Sequence, residues 1–514
     1  MNIKKLASIL FQRRVIVALL IIIQSAALLV ATMWFSGAYV YLYWAYVILS
    51  LLAVLVIVSR QTDPGYKIAW IIPILLFPAF GWLVYLLCGG NKLSARMRRK
   101  MQGMDRAMRE QLEGDYKAET LAPFGADAVN QARYVEEYAR CPVYTNTYTR
   151  YFPLGDDAFP VMLEELKKAK RYIFLEYFII GPGVFWDSIV EILKEKHAAG
   201  VDVRVIYDDV GSLNTLPMNY AKKFEQETGI PCCFFNRFKP VISIRMNNRD
   251  HRKFCIIDGH TAFTGGINLA DEYINRKMRF GHWKDSAIMV KGEAAWSITV
   301  MFLTMWEYVR EVKVDYDALR PTELPPEAEL GSGHFVQPYT DNPLDNETVG
   351  ETVYLNLISK AKRYVYIMTP YLIISDCVNT ALCNAAKSGV DVRIMTPHIP
   401  DKPLVFELTR SHYEPLLEAG VQIFEYTPGF VHAKNMVVDD VYAVVGSINM
   451  DYRSMFLHFE DAVWLCHDPT VLDVKADFLD TQIKCQPATL EQCLAHSWVR
   501  RLFRSILRVL SPLL

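Results

Sequence analysis

The sequence predicts an α/β chain anchored in a membrane: two or three transmembrane helices, then two pseudo-symmetric α/β/α halves that share one active site. Three observations carry this reading. The first 90 residues hold long apolar runs nearly free of charge. After residue 140 the chain repeats itself in order. Each repeat contains the same sparse pattern, "HRKFCIID" from His251 and "HAKNMVVD" from His432.

The anchor comes first. Val15–Phe35 is 21 residues without a charge, and Tyr39–Val58 is another 20. A helix needs roughly 20 apolar residues to cross the hydrocarbon core, so both qualify as spans. Lys4, Lys5, Arg13 and Arg14 resemble the start of a signal peptide. The apolar run that follows is too long for one, and a second run follows almost at once. Ile68–Cys88 is as long but carries Pro73, Pro78 and Gly81, which suits a kinked span or a re-entrant hairpin. The expected organisation is a transmembrane anchor over 1–90, a basic juxtamembrane linker over 91–140, the first half over 141–320, the second over 334–495, and an amphipathic tail over 496–514.

Composition narrows the class. Hydrophobic residues make up 52% of the 514, with the excess concentrated in the anchor. The net charge of −1 gives no overall field toward nucleic acid, so no nucleic-acid partner is expected. None of the ten cysteines forms a Cys-x-x-Cys pair, which suggests neither a zinc site nor a redox motif. Core thiols fit a reducing compartment.

The duplication builds the halves. "AKRYIFLEYFI" (Ala169–Ile179) is echoed by "AKRYVYIMTPYLI" (Ala361–Ile373), and "GVDVRVI" (Gly200–Ile206) by "GVDVRIM" (Gly389–Met395). Chance matches would not keep this order. "RYIFLEYFII" and "VDVRVIYD" read as buried strands, and "WDSIVEILKEKHAAG" between them has helical apolar spacing with a terminal Gly. Apolar strands alternating with helices predict a mixed or parallel sheet covered on both faces. The join falls in the Pro-, Glu- and Gly-rich stretch Arg320–Gly333.

The chemistry sits in the repeated motif. His251, Lys253 and Asp258 form the first copy, and His432, Lys434 and Asp439 the second. Residues i and i+2 of a strand share a face, so each His projects with its Lys. Each Asp, seven positions on, falls on the other face and is expected to satisfy backbone or turn groups. "GGIN" and "GSIN" then bring Asn268 and Asn449 alongside through a tight turn. If the halves meet face to face, one site holds two His, two Lys and two Asn. That set suits a phosphodiester: the Lys balance its charge and the Asn amides donate to its nonbridging oxygens. One neutral His attacks phosphorus, and the other, protonated, serves the leaving and incoming alcohols. Asp285 in "HWKD" and Glu460 in "HFED" hold corresponding positions. They either orient the imidazoles or pair with a local Arg, and the sequence does not assign either to a particular His.

These motifs resemble the phospholipase D superfamily. "NNRDHRK", "HWKD", the terminal "LSPLL" and the hairpin-like "AWIIPILLFPAFGWLVYLLCGG" are similar to bacterial cardiolipin synthases over about residues 40 to 514. The run Val15–Phe35 is an extra span beyond that family's amino-terminal hairpin. The resemblance implies two phospholipase D-like halves and phosphatidyl transfer between two phosphatidylglycerol molecules. It implies a phosphohistidine on His251, with His432 as acid–base, and no metal or cofactor. A membrane-bound phospholipase D that hydrolyses or exchanges headgroups is the nearest alternative. A nuclease of the superfamily is opposed by charge and anchor, and an inactive scaffold by two intact motif sets.

The expected partners are the phospholipid bilayer, phosphatidylglycerol and anionic lipids. In the tail, Arg500, Arg504 and Arg508 repeat every four residues opposite Val499, Leu502, Phe503, Ile506, Leu507 and Leu510. This reads either as an interfacial helix on anionic lipid or as a helix packed on the domain. Seven Lys or Arg between Lys92 and Arg109 ask for the cytoplasmic side, as do the four before the first span. Three full crossings cannot satisfy both groups. The larger cluster favours a multi-pass cell-membrane protein with a cytoplasmic catalytic region. An engineered exposed cysteine near residue 110 is therefore expected to escape membrane-impermeant thiol reagents in intact cells; labelling from outside would reverse the orientation.

Overall fold

The structure is a computed structural model that describes residues 40–60, 64–78, 81–82, 85, 95–238, 247–331, 333–345 and 347–513. The expected span Val15–Phe35 lies outside them. The chain divides into two compact units: Met1–Leu93 with Asn236–Asn248 and Ser505–Leu514, and Ser94–Phe235 with Arg249–Arg504.

In the first unit, helix Val40–Ser59 carries no charge and exposes Trp44, Ile48, Leu51, Leu52 and Leu55. Helix Pro64–Leu76 contains Pro73, and Ile57, Trp70, Ile74 and Tyr85 form a small core. Ser511–Leu513 packs against this second helix. Among the described residues no helix is long and apolar enough to cross a membrane.

The second unit holds two sheets with the same plan. The first runs Thr147–Phe152, Ala287–Gly292, Thr261–Gly265, Lys253–Ile257, Tyr172–Tyr177, Asp202–Asp208, Cys232–Phe235. The second runs Phe335–Asp341, His458–Cys466, Tyr442–Gly446, Asn435–Val438, Tyr364–Met368, Asp391–Pro397, Gln422–Tyr426, with Cys485–Pro487 added at the edge. In each sheet the three strands after the motif strand are mutually parallel and the others antiparallel. The repeat read in the sequence is thus a repeat of topology. Tyr172–Tyr177 is buried at every position, as a strand covered on both faces must be. Helix Val184–Ala198 covers one face through Phe185, Trp186, Ile189 and Leu193. Helix Ala295–Arg310 is buried along Ala295–Trp306 and stacks Phe302 on Phe174 at 4.8 Å, so it is apolar on nearly every side.

The segment 91–140, expected as a linker, is folded from Ala95 onward into the second unit. Helix Ala95–Leu112 buries Met101, Met108 and Leu112, and helix Ala126–Tyr134 buries Ala128, Val129 and Ala132. A sparse apolar stripe inside a strongly basic sequence is enough to dock a helix.

Two short pairings cross between the sheets. Arg249–Asp250 runs parallel to His458–Phe459, and His282–Lys284 runs parallel to Gly429–Val431. Each pairing lies immediately before a motif histidine.

Candidate active site

Each motif histidine follows one of these crossing strands, and its backbone continues the pairing. His251 N–H donates to the Phe459 carbonyl at 2.9 Å, and His432 N–H to that of Lys284 at 2.7 Å. The residue after each carbonyl is an acid, Glu460 or Asp285. The main-chain bond therefore delivers a carboxylate of one half to the imidazole of the other. His251 Nδ1 lies 2.9 Å from both Glu460 oxygens, and His432 Nδ1 lies 2.6 Å from Asp285 Oδ2. All four side chains are buried. An Nδ1–H donated to a carboxylate leaves the Nε2 lone pair as the reactive position.

The lysines complete the set. Lys253 and Lys434, both 1% exposed, donate to the carbonyls of His251 and His432 respectively. Lys434 Nζ also lies 2.8 Å from His432 Nδ1. With its proton turned to Asp285, that nitrogen has no lone pair to offer, so the contact is a cation held against the ring.

The acids of the motifs face elsewhere. Asp258 accepts the N–H groups of Lys170, Arg171 and Tyr172, each at 2.8 Å. Asp439 accepts those of Lys362, Arg363 and Tyr364 at 2.6 to 2.8 Å. Both sit in left-handed turns at φ 53° and 56°, tying the motif strand to the start of its central neighbour. Asn268 accepts from Ile179 N–H and donates to Tyr273 O–H, both at 2.9 Å, leaving one amide hydrogen. Asn449 is 5% exposed, and its Oδ1 has no hydrogen-bond partner among the described residues.

The glycines set the clearances. A Cβ at Gly265 or Gly446 would strike the backbone at Ser286–Ala287 or Asp461–Ala462, and one at Gly266 would strike the Asp285 carboxylate. The second copy has Ser447 where the first has Gly266, and its hydroxyl donates to Glu460 Oε2. The difference between "GGIN" and "GSIN" is therefore functional in shape: one leaves room for a carboxylate and the other grips it.

The field in the site is dominated by burial. Burial lowers His251 well below its ordinary value; Glu460 pulls upward and Lys253 adds to the depression. His432 is brought to about 4 by burial and then by Lys434, against Asp285. Lys253 falls to about 8 and Lys434 to about 7, again by burial, with Glu460 and Asp285 opposing in both cases. Burial alone would raise Glu460, but His251 and His458 hold it well below the usual carboxylate range. Each lysine feels the carboxylates of both dyads, so the two motif sets form one electrostatic site.

Aromatic rings and a third imidazole line it. Phe178 lies 4.9 Å from His251, Tyr273 and Trp283 each 5.5 Å from His432, and His458 5.4 Å from His251. His251, His458 and Glu460 bring ligand atoms within 4.8 Å of one another, a spacing that could hold a metal ion.

The family model for the phospholipase D-like domain of cardiolipin synthases matches residues 162–306 and 354–481, more than half of the chain. A phospholipase D–nuclease amino-terminal model matches residues 48–90. The chain is 34% identical over 462 residues to a cardiolipin synthase of Geobacillus sp. strain WCH70, covering 89% of this chain and 91% of that one. It is 42% identical over 466 residues to an uncharacterized protein of Streptococcus mutans serotype c, covering 90% and 99%. Among solved structures, phosphatidylserine synthase of Haemophilus influenzae Rd KW20 matches with a TM-score of 0.56 at 15% identity, covering 75% of this chain and all of that one; this likeness speaks to fold. Matched along both halves and over nine-tenths of its length, the chain belongs to the phospholipase D-like cardiolipin synthase family.

Proposed function

We infer that the protein is a cardiolipin synthase that transfers a phosphatidyl group between two phosphatidylglycerol molecules, releasing glycerol. The observation that supports this most directly is the crossed pair of dyads, His251–Glu460 and His432–Asp285. His251 Nε2 attacks phosphorus, the bond from phosphorus to the glycerol oxygen breaks, and His432 gives that oxygen its Nε2 proton. A hydroxyl of the second phosphatidylglycerol then returns a proton to His432 and attacks phosphorus, and the P–N bond breaks. Lys253, Lys434 and the free amide hydrogens of Asn268 and Asn449 hold the nonbridging oxygens. Asp258 and Asp439 hold the motif strands in place.

His432 at about 4 would be a poorly populated acid near neutral pH. It is depressed partly by Lys434 and Lys253, and a bound phosphodiester places its negative charge against both. Substrate therefore raises the imidazole toward the range an acid needs.

Transfer must outcompete hydrolysis. The apolar helices of residues 40–76 would hold the site at a bilayer, where lipid alcohol is concentrated. The tail extends that contact in an unexpected way. Arg500 and Arg504 bind Glu407, and Arg501 binds Glu414, so three arginines of helix Trp498–Leu510 are turned to protein acids. Trp498, Val499, Leu502, Phe503 and Ile506 are exposed instead. The helix meets lipid through this apolar face. Removing residues 498–514 should weaken vesicle binding, and that contribution should change little between low and high salt. Unchanged binding, or a contribution abolished by salt, would refute the apolar contact.

Purified protein incubated with phosphatidylglycerol alone should yield cardiolipin and glycerol, resolved by mass. Phosphatidic acid without cardiolipin would identify a hydrolase. His251→Ala and His432→Ala should each abolish turnover with an unchanged thermal transition, and substantial activity in either would end the shared-site mechanism.

Lys434, held at about 7, is charged below that pH and loses its charge as pH rises through it. The specificity constant kcat/KM reports the free enzyme, so it should decline above pH 7. Lys434→Arg, whose guanidinium stays charged, should extend the plateau to higher pH. A profile that climbs from pH 7 to 9 would rule out a charged Lys434 as phosphate ligand.

A further inference from the structure

Beyond the exchanges of glutamate for aspartate and serine for glycine, the pseudo-twofold relation between the dyads breaks at a third position. The carbonyls that receive the His251 and His432 N–H groups belong to Phe459 and Lys284, and the residues just before them are His458 and Trp283. These two occupy equivalent places. Their rings lie at nearly the same distance from the motif imidazoles, 5.4 Å for His458 to His251 and 5.5 Å for Trp283 to His432. One dyad is backed by an indole and the other by a third imidazole.

That imidazole faces a carboxylate already in use. His458 Nδ1 is 3.5 Å from Glu460 Oε1, the oxygen that lies 2.9 Å from His251 Nδ1. The longer distance falls short of a well-formed hydrogen bond. Neither ring nitrogen of His458 has a hydrogen-bond partner among the described residues, although the residue is only 8% exposed. A buried imidazole without a partner calls for one, and Glu460 is the acceptor within reach.

We propose that His458 is a positioning residue for the first dyad: its Nδ1–H closes onto Glu460 Oε1 and holds that carboxylate against His251 Nδ1. The inference rests on His251 being the nucleophile. Ser447 donates to Oε2, so Glu460 is gripped on both oxygens. When His251 Nε2 bonds phosphorus, its ring becomes cationic and leans on Glu460 through Nδ1–H. A second donor on Oε1 lowers the carboxylate's basicity, so the proton stays on Nδ1. The ring keeps its positive charge and remains a good leaving group for the second transfer. His458 moves no proton and makes no bond to phosphorus. The second dyad has no such partner, because Trp283 stands there and Asp285 Oδ1 takes the Ser286 N–H.

The test uses the full chain with phosphatidylglycerol and two variants. His458→Phe keeps a ring and removes the donor; His458→Asn places an amide hydrogen near the Nδ1 position. The Phe variant should lose at least about tenfold in kcat with KM within about twofold, and the Asn variant should recover to within about threefold of the parent. Parental kcat in His458→Phe, or an Asn variant as slow as the Phe variant, overturns the proposal. Should the Phe variant melt early, His458→Gln replaces it; its amide sits at the Nε2 position, so it should be slow, and parental kcat again overturns the idea. Mapping the covalent adduct after an alkaline denaturing quench, which preserves the P–N bond, separates the two layers. An adduct on His432 overturns the nucleophile assignment, whereas parental kcat in His458→Phe with the adduct on His251 overturns the role of His458 alone.

Discussion

The site depends on one constraint: the carboxylate that orients each imidazole comes from the other half. His251 is set by Glu460 and His432 by Asp285, through two short parallel pairings that exist only when the halves are together. A lone half would carry a His and a Lys on a strand with nothing to fix the tautomer. Duplication therefore did more than supply a second imidazole. It made assembly of the halves and alignment of the dyads the same event, since the main-chain bond from each histidine seats the acid beside its ring.

The same crossing explains the electrostatics. Two ammonium groups and two carboxylates are buried in one place, and each lysine answers to both acids. With no anion between them, the lysines are pushed toward neutrality and the histidines are held neutral. A phosphodiester is the charge this arrangement lacks.

Much of this was legible in the sequence, for local reasons. Strands Tyr172–Tyr177 and Asp202–Asp208 and helix Val184–Ala198 follow from apolar runs and spacing, and their second copies follow from the repeat. The turn role of Asp258 and Asp439 follows from strand periodicity. What was not legible is long-range. No local pattern says that Glu460 serves the histidine 209 positions away. The correspondence of Asp285 with Glu460 already places His458 opposite Trp283, but nothing local in the sequence gives that histidine a role. His282 bonds Tyr426 O–H at 3.0 Å. The sequence left the tail's arginines between lipid and protein because their partners Glu407 and Glu414 lie some ninety residues earlier in the chain. The helical nature of 95–139 was masked by its basic composition.

A symmetric site poses a chemical difficulty, because the two histidines must do different things. In the proposed reaction one stays bonded to phosphorus between half-reactions while the other exchanges protons. The structure contains three departures from symmetry, and all lie around the orienting acids. Glutamate replaces aspartate at 460, with a longer reach that puts both oxygens at 2.9 Å from its imidazole. Serine replaces glycine at 447 and grips that longer side chain. Imidazole replaces indole at 458. The first two add contacts to Glu460 and the third sets an imidazole nitrogen 3.5 Å from it, whereas the His432 ring carries a lysine against Nδ1. A more tightly held carboxylate suits the nucleophilic role proposed for His251, in which the ring carries a full positive charge. A ring pressed by an ammonium loses its proton readily, which suits one that must pass it on. The halves are alike where the fold requires it and differ where the two roles diverge.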